Sequence, residues 1–324
     1  MEIPANIGKY HVLKRIAKGN VSQIVTAIDP RSGEIVAIKI ISRKDFTDTK
    51  MLHLLENELR LSTRFNHPNL IKIMDIEYLE DFICIVMEYL PNQNLYSLIT
   101  EGMKFSLHEQ IKIASDIISG LNYLHERGIS HRDIKPDNIM FDGDYNSKII
   151  DYSFTKENAA ISKTFCGSPI YMAPEIFENS SYDALKADIW SLGITLHVIS
   201  TGSFPWVQKS EVQLIRELKD KSISLGIMAE GILGKIIRHC LSFDPTLRPS
   251  AKDLLLMLGA NSRGNSSKMI ASHNDVKRSL KNAPLPRISP KKSLPPIARS
   301  THLSDFVFAN SKPIIRMRSF KNHL

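Results

Sequence analysis

The spacing of apolar residues changes once along this chain, near residue 90, and this change limits the folds that the chain can adopt. Before that point the apolar runs are short and rich in β-branched residues, as in "SQIVTAID", "EIVAIKIIS", "LIKIMDIEYLE" and "FICIVMEYL". Turn sequences such as "DPRSG" and "LED" separate these runs. Short apolar runs with tight connections are typical of strands, so the sequence predicts antiparallel strands here.

After Pro91 the apolar residues recur at helical spacing. In "LHEQIKIASDIISGLNYLHERG" they form one stripe, which predicts a long amphipathic helix with Gly128 as its stop. The stripe consists of Ala114, Ile117, Ile118, Leu121 and Leu124. One helix is also predicted within the strand-rich half, in "TKMLHLLENELRLSTRF".

Together these patterns predict an α+β fold with two lobes. A small β-sheet lobe with one helix is expected over about residues 10–87, and a hinge over residues 88–91. A larger, mostly helical lobe is expected over about residues 92–258. With 324 residues, 43% of them hydrophobic, the chain can bury one large core or two lobes that share an interface.

The last part of the chain differs in composition, and we predict that residues 261–324 form a basic, Ser/Pro-rich disordered tail. The whole chain has a net charge of +8, and this segment holds thirteen Lys or Arg against two Asp or Glu. Its role stays open between a soluble linker and a segment that contacts acidic partners, namely nucleic acid or an anionic membrane. A protein whose main function is to bind nucleic acid would do so with a steep salt dependence through the tail alone.

The sequence also indicates the compartment. Cys84, Cys166 and Cys240 are far apart, odd in number and without metal-ligand spacing, which predicts reduced thiols. The chain begins without a basic or apolar leader, and no stretch approaches the roughly 20 apolar residues that a membrane span needs. We therefore expect no membrane span and a cytoplasmic location, with nuclear access left open.

Several polar clusters follow one another in a fixed order. They are "VAIK" ending at Lys39, Glu58 in the predicted helix, "HRDIKPDN" at 131–138, Asp151 in "IIDYSF", "APE" at 173–175, "DIWSLG" at 188–193 and "DPTLRPS" at 244–250. In this order they resemble the eukaryotic protein kinase family. The resemblance runs from about Tyr10 to Leu258, and "TFCGSPIYMAPE" is most similar to Ser/Thr kinases of the calcium/calmodulin-kinase group.

The resemblance implies an enzyme that transfers the γ-phosphoryl group of ATP, with Mg²⁺, to Ser or Thr hydroxyls of protein substrates. Phosphoryl transfer needs little covalent help, so such a site positions the triphosphate, neutralises its charge and orients the acceptor. By resemblance, Lys39 contacts the inner phosphates and Glu58 orients it. Asp133 would orient the acceptor hydroxyl, and Lys135 would steady the transferred phosphoryl group.

The metal and nucleotide contacts follow from the same resemblance. Asn138 and Asp151 would bind magnesium through hard oxygen ligands. Adenine would bond to main-chain groups of Glu88 and Leu90, with Met87 at the rear of the pocket. The nucleotide-binding residues implied in this way are Ile16, Ala17, Gly19, Ile24, Ala37, Lys39, Met87, Glu88, Leu90 and Met140.

Substrate type and regulation can be read from the neighbouring segments. Lys135 and Ser168 occupy positions that favour Ser or Thr acceptors in the family. Thr164 matches the usual activation-loop acceptor, whose phosphate would be received by Arg132 and Lys156, so an upstream activating kinase is an expected partner. The alternative is that Thr164 is an ordinary loop threonine.

Three departures from the family pattern favour a second hypothesis, a pseudokinase scaffold that binds nucleotide weakly: the phosphate-covering loop, Ser62, and the triplet Asp151-Tyr152-Ser153 where the family has Asp-Phe-Gly. In "IAKGNVSQI" the phosphate-covering loop keeps Gly19 but has Ala17 and Ser22 where the family has glycine. Ser62 stands where an apolar residue is usual, and Ser153 replaces the glycine after the metal-binding Asp. If such a position needs positive φ, a non-glycine residue costs about 1–2 kcal/mol, and Ser153→Gly is then expected to raise activity. The competing expectation is that the backbone freedom of glycine loosens an already competent loop and lowers turnover.

Overall fold

The N-terminal part of the protein is one six-stranded antiparallel sheet. The computed structural model describes residues 3–18, 22–45, 59–178, 180–207 and 209–264, with side chains up to residue 259. The strands are β1 (Asn6–Ile7), β2 (Tyr10–Lys18), β3 (Ser22–Ile28), β4 (Ile35–Ser42), β5 (Ile73–Tyr78) and β6 (Phe82–Glu88). Their order in the sheet is β1-β2-β3-β4-β6-β5, and every pair is antiparallel. The strands predicted from the sequence are confirmed.

The central strands β4 and β6 are mostly buried on both faces, which explains their nearly continuous apolar sequences, whereas β2 is largely exposed. In β6, Cys84 and Val86 pack into a small core on one face, with Ile38 and Ile40 of β4. Residues at alternating positions, such as Ile85, join the main core that extends through the helical lobe. Because successive side chains of a strand point to opposite faces, one strand contributes to both cores.

The C-terminal part is mostly helical, as predicted. Its helices are α1 (Leu95–Thr100), α2 (Leu107–His125), α3 (Pro174–Glu178), α4 (Ala184–Thr201), α5 (Glu211–Lys219), α6 (Gly231–Cys240) and α7 (Ala251–Gly264). Helix α2 begins with a capping box between Ser106 and Glu109 and ends at His125, and Gly128 follows with φ +68°. All five residues of the predicted apolar stripe are buried in it. The two-lobed α+β fold is therefore confirmed.

A small hairpin brings two predicted metal ligands together. Strands β7 (Ile139–Phe141) and β8 (Ser147–Ile149) pair antiparallel, with Ile139 opposite Ile149. Asn138 directly precedes β7, and its carbonyl accepts a hydrogen bond from the Ile150 N–H at 2.9 Å. Asp151 is the next residue along the chain. The hairpin register therefore places Asn138 and Asp151 side by side at one end of the hairpin.

Two segments differ from the sequence expectations or fall outside the described residues. Of the predicted helix over 49–65, the structure describes residues from Leu59 onward, and Leu59–Ser62 are helical; Glu58 lies outside the described residues. Helix α7 continues to Gly264, so the predicted tail begins within a helix, because helix propagation adds one hydrogen bond for each residue fixed. Residues 265–324 lie outside the described residues, so the tail and the proposed domain boundaries stay predictions.

Other sequence expectations can be compared directly with the structure. The three cysteines are free and buried, as expected. Burial raises the pKa of the Cys84 and Cys240 thiols to about 12, so both stay protonated near neutral pH. Among the described residues, no helix is both long enough and apolar enough to cross a membrane.

A buried ion pair connects α3 to the segment before α7. Arg248 Nη1 lies 2.6 Å from Glu175 Oε1, and Nη2 lies 2.8 Å from Oε2, which is a bidentate arrangement. The Arg248 side chain also donates to the carbonyls of Ser242 and Lys186 and lies over the Trp190 ring. Both partners are buried. Because a buried charge that loses its partner is costly, this pair is a structural requirement of the helical lobe.

We predict that Glu175→Ala lowers the stability of the helical lobe by about 3–5 kcal/mol, because it leaves the Arg248 guanidinium buried without its counter-charge. Thermal unfolding followed by circular dichroism measures the change. Lys44→Ala is the matched control, since Lys44 pairs with Asp81 at 3.0 Å in a largely exposed position. Equal melting temperatures for the two variants would contradict the structural role of the buried pair.

Candidate active site

A cavity of about 440 Å³ lies between the sheet and the helical lobe. It collects most of the predicted site residues from segments that are far apart in sequence. Those that line it are Ile16, Ala17, Ile24, Ala37, Lys39, Met87, Glu88, Leu90, Asp133, Lys135, Asn138, Met140 and Asp151. Gly19 and Glu58 lie outside the described residues, and Arg132, Lys156 and Thr164 are not among the lining residues.

The apolar end of the cavity is formed by paired strand residues. Ile24 is opposite Lys39 in the β3–β4 pair, and Ala37 is opposite Met87 in the β4–β6 pair. At the end of β6, the Glu88 N–H donates to the Lys72 carbonyl at 3.0 Å. The Glu88 N–H is therefore already used within the chain. Of the two Glu88 main-chain groups, only the carbonyl could bond to a ligand such as adenine, by accepting a hydrogen bond.

The Glu88 side chain ties the hinge to the hairpin. Its carboxylate accepts from the Lys72 N–H at 2.8 Å and from Lys148 Nζ at 2.9 Å. Lys148 lies in β8 and is buried. The sequence analysis missed this ion pair, because no pattern in the sequence indicated that Lys148 points toward the hinge.

Asp133 is the centre of a fully hydrogen-bonded cluster. Its Oδ1 accepts from the Ser168 N–H at 3.1 Å and from the Ser168 hydroxyl at 3.0 Å. Its Oδ2 accepts from Asn138 Nδ2 at 2.8 Å and from Lys135 Nζ at 2.9 Å. Lys135 also donates to the Ser168 hydroxyl at 2.6 Å. These contacts bring the predicted base, the predicted phosphoryl-binding lysine and the residue associated with Ser/Thr acceptors into direct contact.

The charges of this cluster are complementary. Burial alone would lower the pKa of Lys135, but the neighbouring Asp133 carboxylate raises it above its ordinary value. Lys135 therefore stays an ammonium group. The Asn138 amide must present its NH₂ group to Asp133, because a carboxylate only accepts, and this leaves the Asn138 side-chain oxygen for another partner.

The loop that carries Asp133 is fixed from α4. The buried Asp188 carboxylate accepts from the main-chain N–H of His131 at 2.8 Å and of Arg132 at 2.7 Å. Arg132 has φ +66°, a left-handed conformation that is uncommon for a non-glycine residue. A Cβ at Gly167, which has φ +101°, would lie 2.4 Å from the Arg132 carbonyl oxygen, so only glycine fits there. Asp188 of α4 and the segment around Gly167 thus both fix the loop that positions Asp133.

Asp151, Lys39 and Ser153 form a second cluster at the other side of the cavity. Lys39 Nζ donates to Asp151 Oδ1 at 2.7 Å and to Ser153 Oγ at 3.1 Å. The Ser153 hydroxyl donates to Asp151 Oδ1 at 2.6 Å. Burial alone would raise the pKa of the Asp151 carboxyl, but the Lys39 ammonium and the hydrogen bonds from Lys39 and Ser153 hold it well below its usual range. Asp151 is therefore ionised at any physiological pH.

The donor set of this end of the cavity fits magnesium. Asp151 supplies carboxylate oxygens and Asn138 supplies an amide oxygen, which are the hard ligands that Mg²⁺ prefers. Among the described residues, no group of three or more His, Cys, Asp or Glu could hold a metal ion by itself. Two protein ligands beside a cavity that can hold phosphate groups are typical of sites where the substrate phosphates complete the coordination of Mg²⁺.

Whether three of the positions that differ from the family need positive φ was left open by the sequence, and the structure answers the question. Ala17, Ser22 and Ser153 all lie in the described residues, and none of them has positive φ. The left-handed residue of the metal-binding triplet is Asp151 itself, with φ +63°. Restoring glycine at position 153 would therefore relieve no strain there. Strain at these three positions therefore gives the pseudokinase hypothesis no support.

The remaining departures are accommodated by hydrogen bonds. The buried Ser62 hydroxyl donates to the Leu59 carbonyl at 2.6 Å within its own helical turn. Tyr152 packs edge-on against Phe65, and its hydroxyl donates to the Ile71 carbonyl at 2.9 Å. Burial raises the pKa of Tyr152 well above its ordinary value, so the phenol keeps its proton. Sequence reasoning missed the roles of the Tyr152 and Ser153 hydroxyls, although both side chains differ from the family pattern.

The predicted regulatory residues lie together outside the cavity. Arg132 Nη1 donates to the Thr164 hydroxyl at 3.0 Å, and Arg132 Nε donates to the Phe154 carbonyl. Lys156 Nζ lies 3.4 Å from the Ser162 hydroxyl, which is 3.5 Å from the Thr164 hydroxyl. The Arg132 guanidinium and the Thr164 hydroxyl are thus already in contact, and Arg132 directly precedes Asp133.

Comparison with known proteins identifies the family. The protein kinase domain family matches residues 10–257. A relative from Enterocytozoon bieneusi (strain H348), named "Probable serine/threonine-protein kinase KIN1 homolog", is 32% identical over 268 residues, which cover 81% of this chain and 41% of the relative. CBL-interacting protein kinase 26 of Oryza sativa subsp. japonica is 29% identical over 247 residues, which cover 75% of this chain and 50% of the relative.

These matches agree with the clusters that the structure brings together. The chain spans half or less of the length of these curated relatives. The matched residues nevertheless include the cavity, both hydrogen-bonded clusters and the helices that support them. The resemblance noted from the sequence motifs is confirmed, and the chain belongs to the protein kinase family.

Proposed function

We propose that this chain is a protein serine/threonine kinase that transfers the γ-phosphoryl group of ATP, with Mg²⁺, to Ser or Thr hydroxyls of protein substrates. The observation that carries the proposal is the contact of Lys135 with both Asp133 and Ser168 in a cavity that Lys39, Asn138 and Asp151 also line. Each of the groups that position phosphate, metal and acceptor hydroxyl in phosphoryl transfer has a counterpart there.

The chain's own residues supply positioning and charge. Lys39 holds the inner phosphates, and Asn138 and Asp151 would hold the metal ion. When bound, Mg²⁺ neutralises charge on the phosphate oxygens. The acceptor oxygen forms a bond to the γ-phosphorus, the bond to the bridging oxygen of ADP breaks, and Asp133 takes the proton of the acceptor. The Lys135 ammonium stabilises the negative charge of the transferred group.

The hydrogen bonds of Asp133 bear on how an acceptor would enter. A carboxylate offers about four lone-pair sites, and all four contacts of Asp133 are already made within the chain. An acceptor hydroxyl therefore binds by replacing one of them. The Ser168 hydroxyl is the best candidate, because it is itself an aliphatic hydroxyl donating to Oδ1 at 3.0 Å.

Asp133→Asn is expected to lower the rate of phosphoryl transfer by about 100-fold or more, because an amide cannot accept the proton of the acceptor hydroxyl. Purified full-length protein, labelled ATP, Mg²⁺ and a generic Ser/Thr peptide measure the rate. Asp144→Asn is the matched control, since Asp144 is an exposed carboxylate in the β7–β8 turn. If the wild type, with phosphate on Thr164, transfers no more than Asp133→Asn, the chain is not a kinase.

We also propose that phosphorylation of Thr164 by an upstream kinase activates the enzyme. The contact between Thr164 and Arg132 supports this, because a phosphate adds about −1.5 to −2 charges and strong acceptor oxygens beside a guanidinium. Arg132 directly precedes Asp133, so a phosphate that binds the Arg132 side chain would act next to the catalytic residue. Lys156 is within reach of the same region through Ser162.

Thr164→Ala is expected to abolish the gain in turnover that phosphorylation of the wild type gives, and to leave ATP affinity nearly unchanged. The gain is expected to be about tenfold or more, since hydrogen bonds to charged groups contribute about 1.5–3 kcal/mol. Wild type treated with phosphatase, or with an activating kinase, provides the comparison. Thr100→Ala, which removes a threonine hydroxyl from α1, is the control. Equal turnover of phosphorylated wild type and Thr164→Ala would contradict the proposal.

The proposed partners follow from this activity. They are protein substrates with Ser or Thr acceptors and an activating kinase, and the basic segment beyond residue 261 would contact acidic partners. Asp137 also lines the cavity and is an acidic candidate for contact with the protein substrate. A cytoplasmic location with access to the nucleus fits these partners.

A further inference from the structure

Ser153 occupies an unusual position in the site. Its hydroxyl, its main-chain N–H and the Lys39 ammonium all donate toward one atom, Asp151 Oδ1, at 2.6, 3.3 and 2.7 Å. Lys39 in addition donates to Ser153 Oγ at 3.1 Å. The three side chains therefore form a closed triangle, although Lys39 is 114 residues from Ser153 in the sequence.

The direction of each hydrogen bond in this triangle is fixed by chemistry. An ammonium group only donates and a carboxylate only accepts. The Ser153 hydroxyl must therefore accept from Lys39 and donate its single proton to Asp151. Both bonds involve a charged partner, which makes them stronger than bonds between neutral groups. A glycine at this position would offer Asp151 only the N–H at 3.3 Å.

The backbone gives Ser153 a second effect. Asp151 has φ +63°, and left-handed backbone costs about 1–2 kcal/mol for most residues other than glycine. Asp tolerates this conformation better when its short side chain bonds to nearby backbone, as it does with the N–H two residues ahead. The Ser153 hydroxyl adds to that local bond and offsets the strain at Asp151.

The triangle also decides which oxygen of Asp151 is left for a metal ion. Within the described part of the chain, the hydrogen bonds to the Asp151 side chain all go to Oδ1. Oδ2 is thus the oxygen that can serve as a ligand. Ser153 itself is 9% exposed and is not among the residues that line the cavity, so it acts through Asp151 and Lys39.

We propose that Ser153 is a positioning residue, whose hydroxyl holds the Asp151 carboxylate and the Lys39 ammonium in the arrangement that binds the Mg²⁺–nucleotide complex. This rests on the proposed function only in that a Mg²⁺–nucleotide complex binds in the cavity. Of the two outcomes that the sequence left open for glycine at position 153, it favours the loss of function. Loss of the hydroxyl removes two charge-assisted bonds, and glycine also frees the backbone beside the strained Asp151.

The test is equilibrium binding of fluorescently labelled ADP to full-length protein, with a Mg²⁺ titration and with EDTA. For Ser153→Ala we expect the Mg²⁺-dependent affinity to fall about tenfold, while affinity for metal-free ADP changes less than twofold. Ser153→Gly is expected to lose at least as much as Ser153→Ala. Melting temperatures within a few degrees of wild type confirm that the variants are folded.

Thr155→Val is the matched control. The Thr155 hydroxyl is also buried, two residues further along, and makes no hydrogen bond to any residue that the structure describes. Its removal should leave both affinities unchanged. Wild-type Mg²⁺ dependence in Ser153→Ala would overturn the proposal, and so would an equal loss with and without Mg²⁺, because either result would make Ser153 a packing residue.

The binding assay separates this proposal from the proposed function. A wild type that binds ADP more tightly with Mg²⁺, and loses that gain in Ser153→Ala, supports the positioning role even if no phosphoryl transfer is detected. A wild type whose ADP affinity does not respond to Mg²⁺ would overturn the positioning role directly. If the wild type transfers phosphoryl groups but Ser153→Ala leaves the Mg²⁺-dependent ADP affinity unchanged, the proposed function is supported and the positioning role of Ser153 is rejected.

Discussion

The attachment of the catalytic loop to helix α4 through Asp188 is the interaction on which the site depends. One buried carboxylate accepts from two successive main-chain N–H groups, those of His131 and Arg132, and from the His125 ring at 3.1 Å. These bonds hold Arg132 in a left-handed conformation that it would not adopt by itself. Asp133 follows directly, so its orientation is determined by a helix residue that never reaches the cavity.

The same arrangement connects Asp133 to Thr164, the proposed phosphorylation site, through Arg132. Arg132 is held at its main chain by Asp188, and its side chain reaches Phe154 and Thr164. A change of charge at Thr164 would therefore act on Arg132, whose backbone is already fixed beside Asp133, the proposed catalytic residue. Little conformational entropy has to be lost for such a signal to act, because the receiving group is already ordered.

The sequence predicted which residues meet in the site, and it failed on how some of them are oriented. Lys39, Asp133, Asn138 and Asp151 could be identified because phosphoryl transfer requires those residue types in a recurring order. Backbone torsion could not be predicted: the sequence left open whether Ser153 needs positive φ, and the structure has the left-handed residue at Asp151. Torsion angles and contacts between distant segments depend on tertiary packing, which local patterns do not encode.

The hydroxyl of Tyr152 has a consequence for small molecules that enter the cavity. The Ile71 carbonyl that it bonds belongs to a residue that also lines this cavity. A compound that enlarges the pocket by displacing the Tyr152 ring leaves this buried carbonyl without its donor. Leaving such a group unpaired costs about 1–3 kcal/mol, which corresponds to roughly 5- to 150-fold in affinity. Compounds of that type would need their own N–H or O–H directed at Ile71, whereas compounds that leave Tyr152 in place would not.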